Sequence, residues 1–382
     1  MSQGTGTPKV TVSVASGNLQ QQVQVIDGVA GIVGTSITKI GVIETVYSYD
    51  DAVAKGYTID DEPFLNGAIQ LFYQELGGNQ ALAILGVEDT MTLTQMATST
   101  NVNGLKKLLN SVSIDVVGLI RKPSVGYTMT AGHFLDQDVE DALIASKTLA
   151  QYQQSINRPC RIFIEGRVND LTAELYTPKT VGNGFAGVVL GSHLNNGSGD
   201  VSLALARAVK YACHIKLGNG QNGALTIPQA FIGNKALEDF FSEELDSFSD
   251  AGYIILHRRD GSAGYYFGKD NMATVDDFNI LVHGRVIDKA QRIAVATSTP
   301  LLETSIRVNA DGTINDSDAK HLEGTINQQL KAGLAGQVSD VAVNVPVNSN
   351  IINTSTGGIE VKVLPLGYLT WIQCTIGLTA NL

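Results

Sequence analysis

Three glycines, Gly218, Gly220 and Gly223, stand at the G-x-G-x-x-G spacing that lets a backbone approach a pyrophosphate at a helix N-terminus. That chemistry needs a helix immediately afterwards. Here Leu225, Thr226, Ile227 and Pro228 follow, and Pro228 blocks one, so the glycines read as an exposed loop. The six histidines, His133, His193, His214, His257, His283 and His321, form no H-x-x-x-H pair and have no nearby carboxylate at metal-ligand spacing. They read as scattered structural residues. Cys160, Cys213 and Cys374 are far apart and odd in number, which offers neither a disulfide framework nor a zinc cluster. Small buried thiols in a reducing compartment are expected. Asp311, Asp316 and Asp318 lack the glycine and glutamate offsets of a calcium loop and read as a turn followed by a helix cap. With no G-x-S-x-G elbow, Walker loop or thiol–imidazole pair, the sequence assigns no catalytic, cofactor or metal residue, and the chain reads as no enzyme.

A fourth group is different in kind. Arg285, Lys289 and Arg292 fall at i, i+4 and i+7 along one helix face of a chain whose formal net charge is −11. The pattern fits a solvated face with Asp288 pairing locally, at about 0.3–0.5 kcal/mol per pair. It equally fits a face of one sign that docks on an acidic partner. The overall charge argues against a nucleic-acid binder and a polybasic membrane anchor. Charged residues make up 16% of the chain and hydrophobic ones 43%, leaving more neutral surface than a free monomer needs. Buried subunit contacts explain that balance. The first residues lack the charged and apolar regions of a signal peptide, and no apolar run is of membrane-spanning length, so a cytoplasmic protein is expected.

The elements that carry these residues alternate. Val10, Val12 and Val14 have the period of a strand and are separated from the body by a soft linker, so they form an arm. Residues 23–34 read as a strand packed on both sides, and 40–43 continue it. Helical spacing over 63–76, ended by Gly77 and Gly78, precedes a buried strand at 81–87. Strand 113–120, helix 139–156, strand 160–166, strand 185–190, helix 203–211, helix 234–248 and strand 251–257 repeat the theme. Such alternation predicts helices on a largely parallel sheet. Beyond residue 259 come a helix over 276–297, a second starting at a cap on Asp316 or Ser317, and strands at 338–347, 358–364 and 369–378. At 382 residues the expectation is two domains, an α/β (α+β) architecture with an α/β outer layer (21–258) and an inner α+β domain (259–366). An N-terminal arm (1–20) and a C-terminal strand (367–382) flank them, and the two domains can exchange strands. Placing well-patterned strands at both ends advertises sheet edges to a neighbour.

Three stretches carry a resemblance to contractile tail sheath proteins of bacteriophages, R-type pyocins and related contractile injection systems. They are VIDGVAGIVGTS (25–36), LNGAIQLFYQELGGNQALAILGV (65–87) and the run from AGYIILHRRDG to AQRIA (251–294). The resemblance implies a virion structural subunit that polymerises helically around an inner tube and contracts to drive the tube through a target envelope. It implies arms that add strands to neighbouring subunits, here through Val10, Val12, Val14, Leu369, Trp371, Ile372 and Ile376. It also implies that the helix with Arg285, Lys289 and Arg292 faces the tube. The implied partners are the chain itself, the inner tail tube protein, and baseplate and tail terminator proteins, without nucleic acid, membrane insertion or cofactor. The implied location is a virion tail or contractile particle assembled in the bacterial cytoplasm. The alternating middle region alone also suits an α/β enzyme, a hydrolase or nucleotide-binding protein with an unrecognised site.

Overall fold

The structure, a computed structural model, describes residues 28–348 and 350–371. Small and β-branched residues build β1 (Ala30–Thr35), which is buried throughout, as a central parallel strand must be. β2 (Ile43–Val46) follows a turn at Gly41, where φ is 73°. α1 (Tyr49–Ala54) starts at Ser48, whose hydroxyl accepts from Asp51 N. α2 (Pro63–Leu76) occupies the predicted residues: Pro63 sits in the first turn, where a missing N–H costs nothing, and Gly77 ends the helix at φ 68°. β3 (Leu82–Val87), α3 (Leu93–Ala97), α4 (Leu105–Ser111), β4 (Val116–Ile120), α5 (Gln137–Ser155), β5 (Arg161–Glu165), β6 (Ala186–Leu190) and α6 (Val201–Lys210) continue the alternation.

Residues 234–248, expected as one helix, divide. Lys235 turns back at Gly233 to pair β8 (Lys235–Ala236) with β7 (Phe231–Ile232), and Leu237 N donates to Ala230 O. A single 3-10 turn follows at Leu237–Asp239, and the α-helix, α7, is confined to Ser242–Ala251. The local backbone pairing takes the residues that apolar spacing alone assigned to a helix. β9 (Tyr253–Arg259) and β10 (Ser262–Phe267) then form a hairpin.

The large sheet has the order β10-β9-β6-β5-β4-β1-β3-β2. Strands β9, β6, β5, β4, β1 and β3 are parallel to their neighbours, and β10 and β2 run antiparallel along the two edges. Gly34 of β1 faces α2, where an added Cβ would meet Leu65, whereas Gly31 faces α4 and Leu108. Connections from β1 and β3 therefore cover opposite faces, a doubly wound arrangement with its switch point between β1 and β4. The core runs from Ala30 to Leu281. It includes Tyr265 and Phe267, so the large core continues past the expected boundary at residue 258.

α8 (Leu281–Ser298) starts later than residue 276, because the Asn271–Ile280 bridge and the bond from Phe278 N to Asp276 Oδ1 hold the preceding residues in a turn. α9 (Asp316–Gly333) is capped by Asn315, which accepts from Ser317 N, in place of the expected Asp316 or Ser317. β11 (Asp340–Asn344) pairs antiparallel with β12 (Glu360–Leu364), with α10 (Ile351–Thr354) in the connection. Ala290 and Ile293 of α8 pack with Ile326, Leu330, Leu334, Val341 and Val343 in a second core. The same helix thus belongs to both cores. Leu369 and Trp371, expected in a strand, are exposed and outside any strand. Val10, Val12, Val14, Ile372 and Ile376 lie outside the described residues.

Candidate functional site: the charged joint and the clefts around the sheet

Asp115 precedes β4 and Arg161 opens β5, so both sit at the amino ends of neighbouring parallel strands. α8 crosses them. Arg161 donates to both carboxylate oxygens of Asp288 at 2.6 Å, and also to Gly184 O and Gly284 O. The guanidinium lies 4.8 Å from the Phe185 ring centroid. Gly284 permits the approach, because a Cβ there would meet Arg161 Cζ at 2.5 Å. One turn along, Arg285 donates to Asp115 Oδ2 at 2.7 Å and to Ala208 O at 2.6 Å. Arg292 donates to Asp115 Oδ1 at 3.1 Å and to Pro159 O. Burial opposes the Asp115 charge, but Arg285 and Arg292 outweigh it and hold the carboxyl down at about 2.

The stripe expected to face a tube is therefore turned inward. Arg285 is 1% exposed, and Lys289 is buried with its ammonium donating to Gln337 Oε1 at 3.2 Å. Asp288, expected to pair along its own helix, reaches Arg161 instead. A helix face of one sign proved to be matched by acids and carbonyl oxygens 48 to 177 residues away in sequence. Buried Arg207 of α6 likewise pairs with Glu75 of α2.

The glycine loop is held through its carbonyls. Arg207 donates to the carbonyls of Asn222, Gly223 and Ala224, so carbonyl oxygens rather than N–H groups converge there. Gly218 packs too closely on Phe267 and Gly268 to carry a side chain. Asp311 accepts from Thr313 N in a turn, as expected, and no metal-binding group of His, Cys, Asp or Glu occurs among the described residues. Cys160 and Cys213 are buried; Cys374 lies outside the described residues.

At the opposite, carboxyl ends of the strands a cleft of about 330 Å³ lies between the α2 and α6 ends and the 191–200 loop. Its wall holds a pair that the sequence reading missed, His193 Nδ1 at 2.7 Å from Asp200 Oδ2. The hydrogen bond to Asp200 raises the imidazole against burial. Glu165, at the end of β5, is fully buried, and burial lifts it to about 7 against Arg167 and the Arg121 N–H. A His–Asp pair of this kind orients an imidazole for proton transfer. Among the described contacts the Ser192 hydroxyl donates to Asp200 Oδ1 at 2.9 Å, on the carboxylate side of the pair and not on the imidazole. The only sequence signal was the Gly- and Asn-rich loop that folds His193 back onto Asp200.

A second groove, about 650 Å³, runs between the α8 start and residues 365–371. Tyr368 donates to His214 O at 2.8 Å and lies under Lys216, while Lys269 sits 4.9 Å from the Trp371 ring. Among the described residues no helix is long and apolar enough to cross a membrane.

Residues 277–382 match the family model described as DUF2586, C-terminal domain. No curated protein sequence matches the chain. Solved structures do. A chain of the anti-feeding prophage helical sheath in its contracted state superposes with a TM-score of 0.62 at 14% identity, over 99% of this chain and 100% of that one. The contracted sheath complex of PVC, an extracellular contractile injection system, gives 0.62 at 11% identity, over 100% and 99%. A sheath tail protein from Desulfitobacterium hafniense gives 0.53 at 10% identity, over 91% and 99%. The chain has the mixed α/β fold of contractile sheath proteins.

Proposed function

We propose that the chain is the structural subunit of a contractile sheath, polymerising helically around an inner tube and contracting to drive that tube through an envelope. One observation carries this reading: the likeness to sheath subunits spans the whole of both chains, with neither left with an unmatched domain. Two features of the molecule agree. Among the described residues the β11–β12 pair has two open edges, and the side chains of β12 alternate between exposed and half-buried, a geometry that receives added strands. Buried ion pairs tie α8 to the ends of β4 and β5, which suits a subunit that transmits force.

In this reading residues 1–20 and 367–382 are arms linking subunits, each head-to-tail contact leaving another open end so that growth is helical. Contraction is rigid-body movement out of a kinetically trapped state and needs no nucleotide. The partners are further copies of the chain, a tube protein, and baseplate and terminator proteins, and the location is a phage tail or contractile particle built in a bacterial cytoplasm. The basic stripe is left out of tube contact, since its charges are spent inside the subunit.

Negative-stain electron microscopy of the purified chain at rising concentration tests the reading, beside one variant lacking residues 1–18 and another lacking 372–382. Hollow tubes from the intact chain and none from either variant are expected. Stable monomers in all three samples would sink it and bring forward an α/β enzyme using the His193–Asp200 pair.

A further inference from the structure

Open α/β sheets bind anions where strand connections diverge, at the carboxyl ends of the strands. In this chain that point is the loop leaving β1, residues 36–39. The backbone N–H of Ser36 continues the sheet to Val87 O, and those of the next three residues point together toward one acceptor. Ile37 N, Thr38 N and Lys39 N, with the hydroxyls of Ser36 and Thr38, all donate to the Glu62 carboxylate. The Ser36 and Thr38 hydroxyls stand 2.8 and 2.9 Å away, and Lys39 N at 2.9 Å. Successive N–H groups closing on one acceptor form an anion-binding nest. Glu62 enters it from the residue before α2 and is 1% exposed. Lys39 Nζ turns away to Lys55 O and Glu44.

The donor set is larger than its occupant. All five donors reach Oε1, while Oε2 takes only a share of the Ile37 N–H. One oxygen has two lone pairs, and a carboxylate about four acceptor positions over both oxygens. A group with three oxygens on one centre would spread these donors better.

We propose that residues 36–39 form an oxyanion site of the phosphate-binding kind, which this chain keeps closed by inserting Glu62 as an intramolecular ligand. The free ligand it would take is a small oxyanion, inorganic phosphate or a simple carboxylate. The site stands on the sheet's own topology and does not depend on the sheath reading. In this closed form the phosphate position of the doubly wound sheet is filled in cis.

The test is anion rescue of Glu62→Ala, with Glu62→Gln as the variant that keeps the volume filled. E62A should melt about 5 °C below the parent in sodium chloride. Adding sodium formate or inorganic phosphate at matched ionic strength should recover at least half of that loss. The parent and E62Q should respond no more to formate or phosphate than to chloride, and phosphate titrated calorimetrically should bind E62A alone. If E62A does not survive purification, its refolding yield in phosphate against chloride reads the same property. Equal behaviour of E62A in formate, phosphate and chloride overturns the site. So does a response of E62Q equal to that of E62A, which would place the anion effect elsewhere.

Discussion

Asp115 and Arg285 meet at 2.7 Å with both side chains 1% exposed, although 170 residues separate them. The pair fixes α8 to the amino end of β4, and Arg292 adds a second guanidinium to the same carboxylate. Removing one partner of a buried pair costs about 3–5 kcal/mol, whereas replacing the set by apolar residues is often neutral. Asp115→Ala should therefore lower the free energy of unfolding by that amount, seen as a lower urea midpoint. The triple change D115L/R285M/R292M should recover most of it. A loss below about 1 kcal/mol in D115A would show that the pair contributes no more than a surface bridge.

Glu165 supplies a pH dependence of opposite sign to that of an ordinary paired carboxylate. Its folded value, about 7, lies above the unfolded 4.5. The unfolded chain ionises first, so this group's contribution is intact below pH 4.5, falls as pH rises to about 7, and levels off beyond. Glu165→Gln removes the titration. Measured by urea unfolding, E165Q should gain on the order of 3 kcal/mol over the parent at about pH 8 and little at about pH 4. An advantage that does not change with pH would place the effect in packing.

Gly284 offers a steric test of the same joint. A methyl group there enters the Arg161 guanidinium, which is held by Asp288, Gly184 O and Gly284 O and has no room to withdraw. In an exposed helix Gly→Ala would gain up to about 1 kcal/mol. Gly284→Ala should instead cost about 1–3 kcal/mol, the usual range for overpacking. Pairing it with Arg161→Met should remove most of that penalty. A stabilised G284A would mean that α8 shifts freely over β5.

Much of this fold was legible because its signals are local. α2 reads from its own spacing and the glycine after it, and β3, β5 and β6 from short apolar runs long enough for one buried strand. The failures are places where distant or backbone partners decide. Residues 234–241 follow the β7–β8 turn, and 276–280 follow a bridge to Asn271. For the stripe of Arg285, Lys289 and Arg292, helical spacing told which residues share a face; what stands opposite was written at Asp115, Ala208 and Gln337. His193 and Asp200 lie in a loop whose periodicity carries no signal. The Glu62 nest was equally silent, since its donors are mostly main-chain groups.

Because α8 lends Leu281 to one core and Ala290 and Ile293 to the other, one continuous helix couples the two packed bodies among the described residues. A twist applied to the β11–β12 end arrives at β4 and β5 through a stiff axle pinned by two carboxylates. On the proposed sheath reading, compliance resides in the connections between copies, and each copy turns as a single cog.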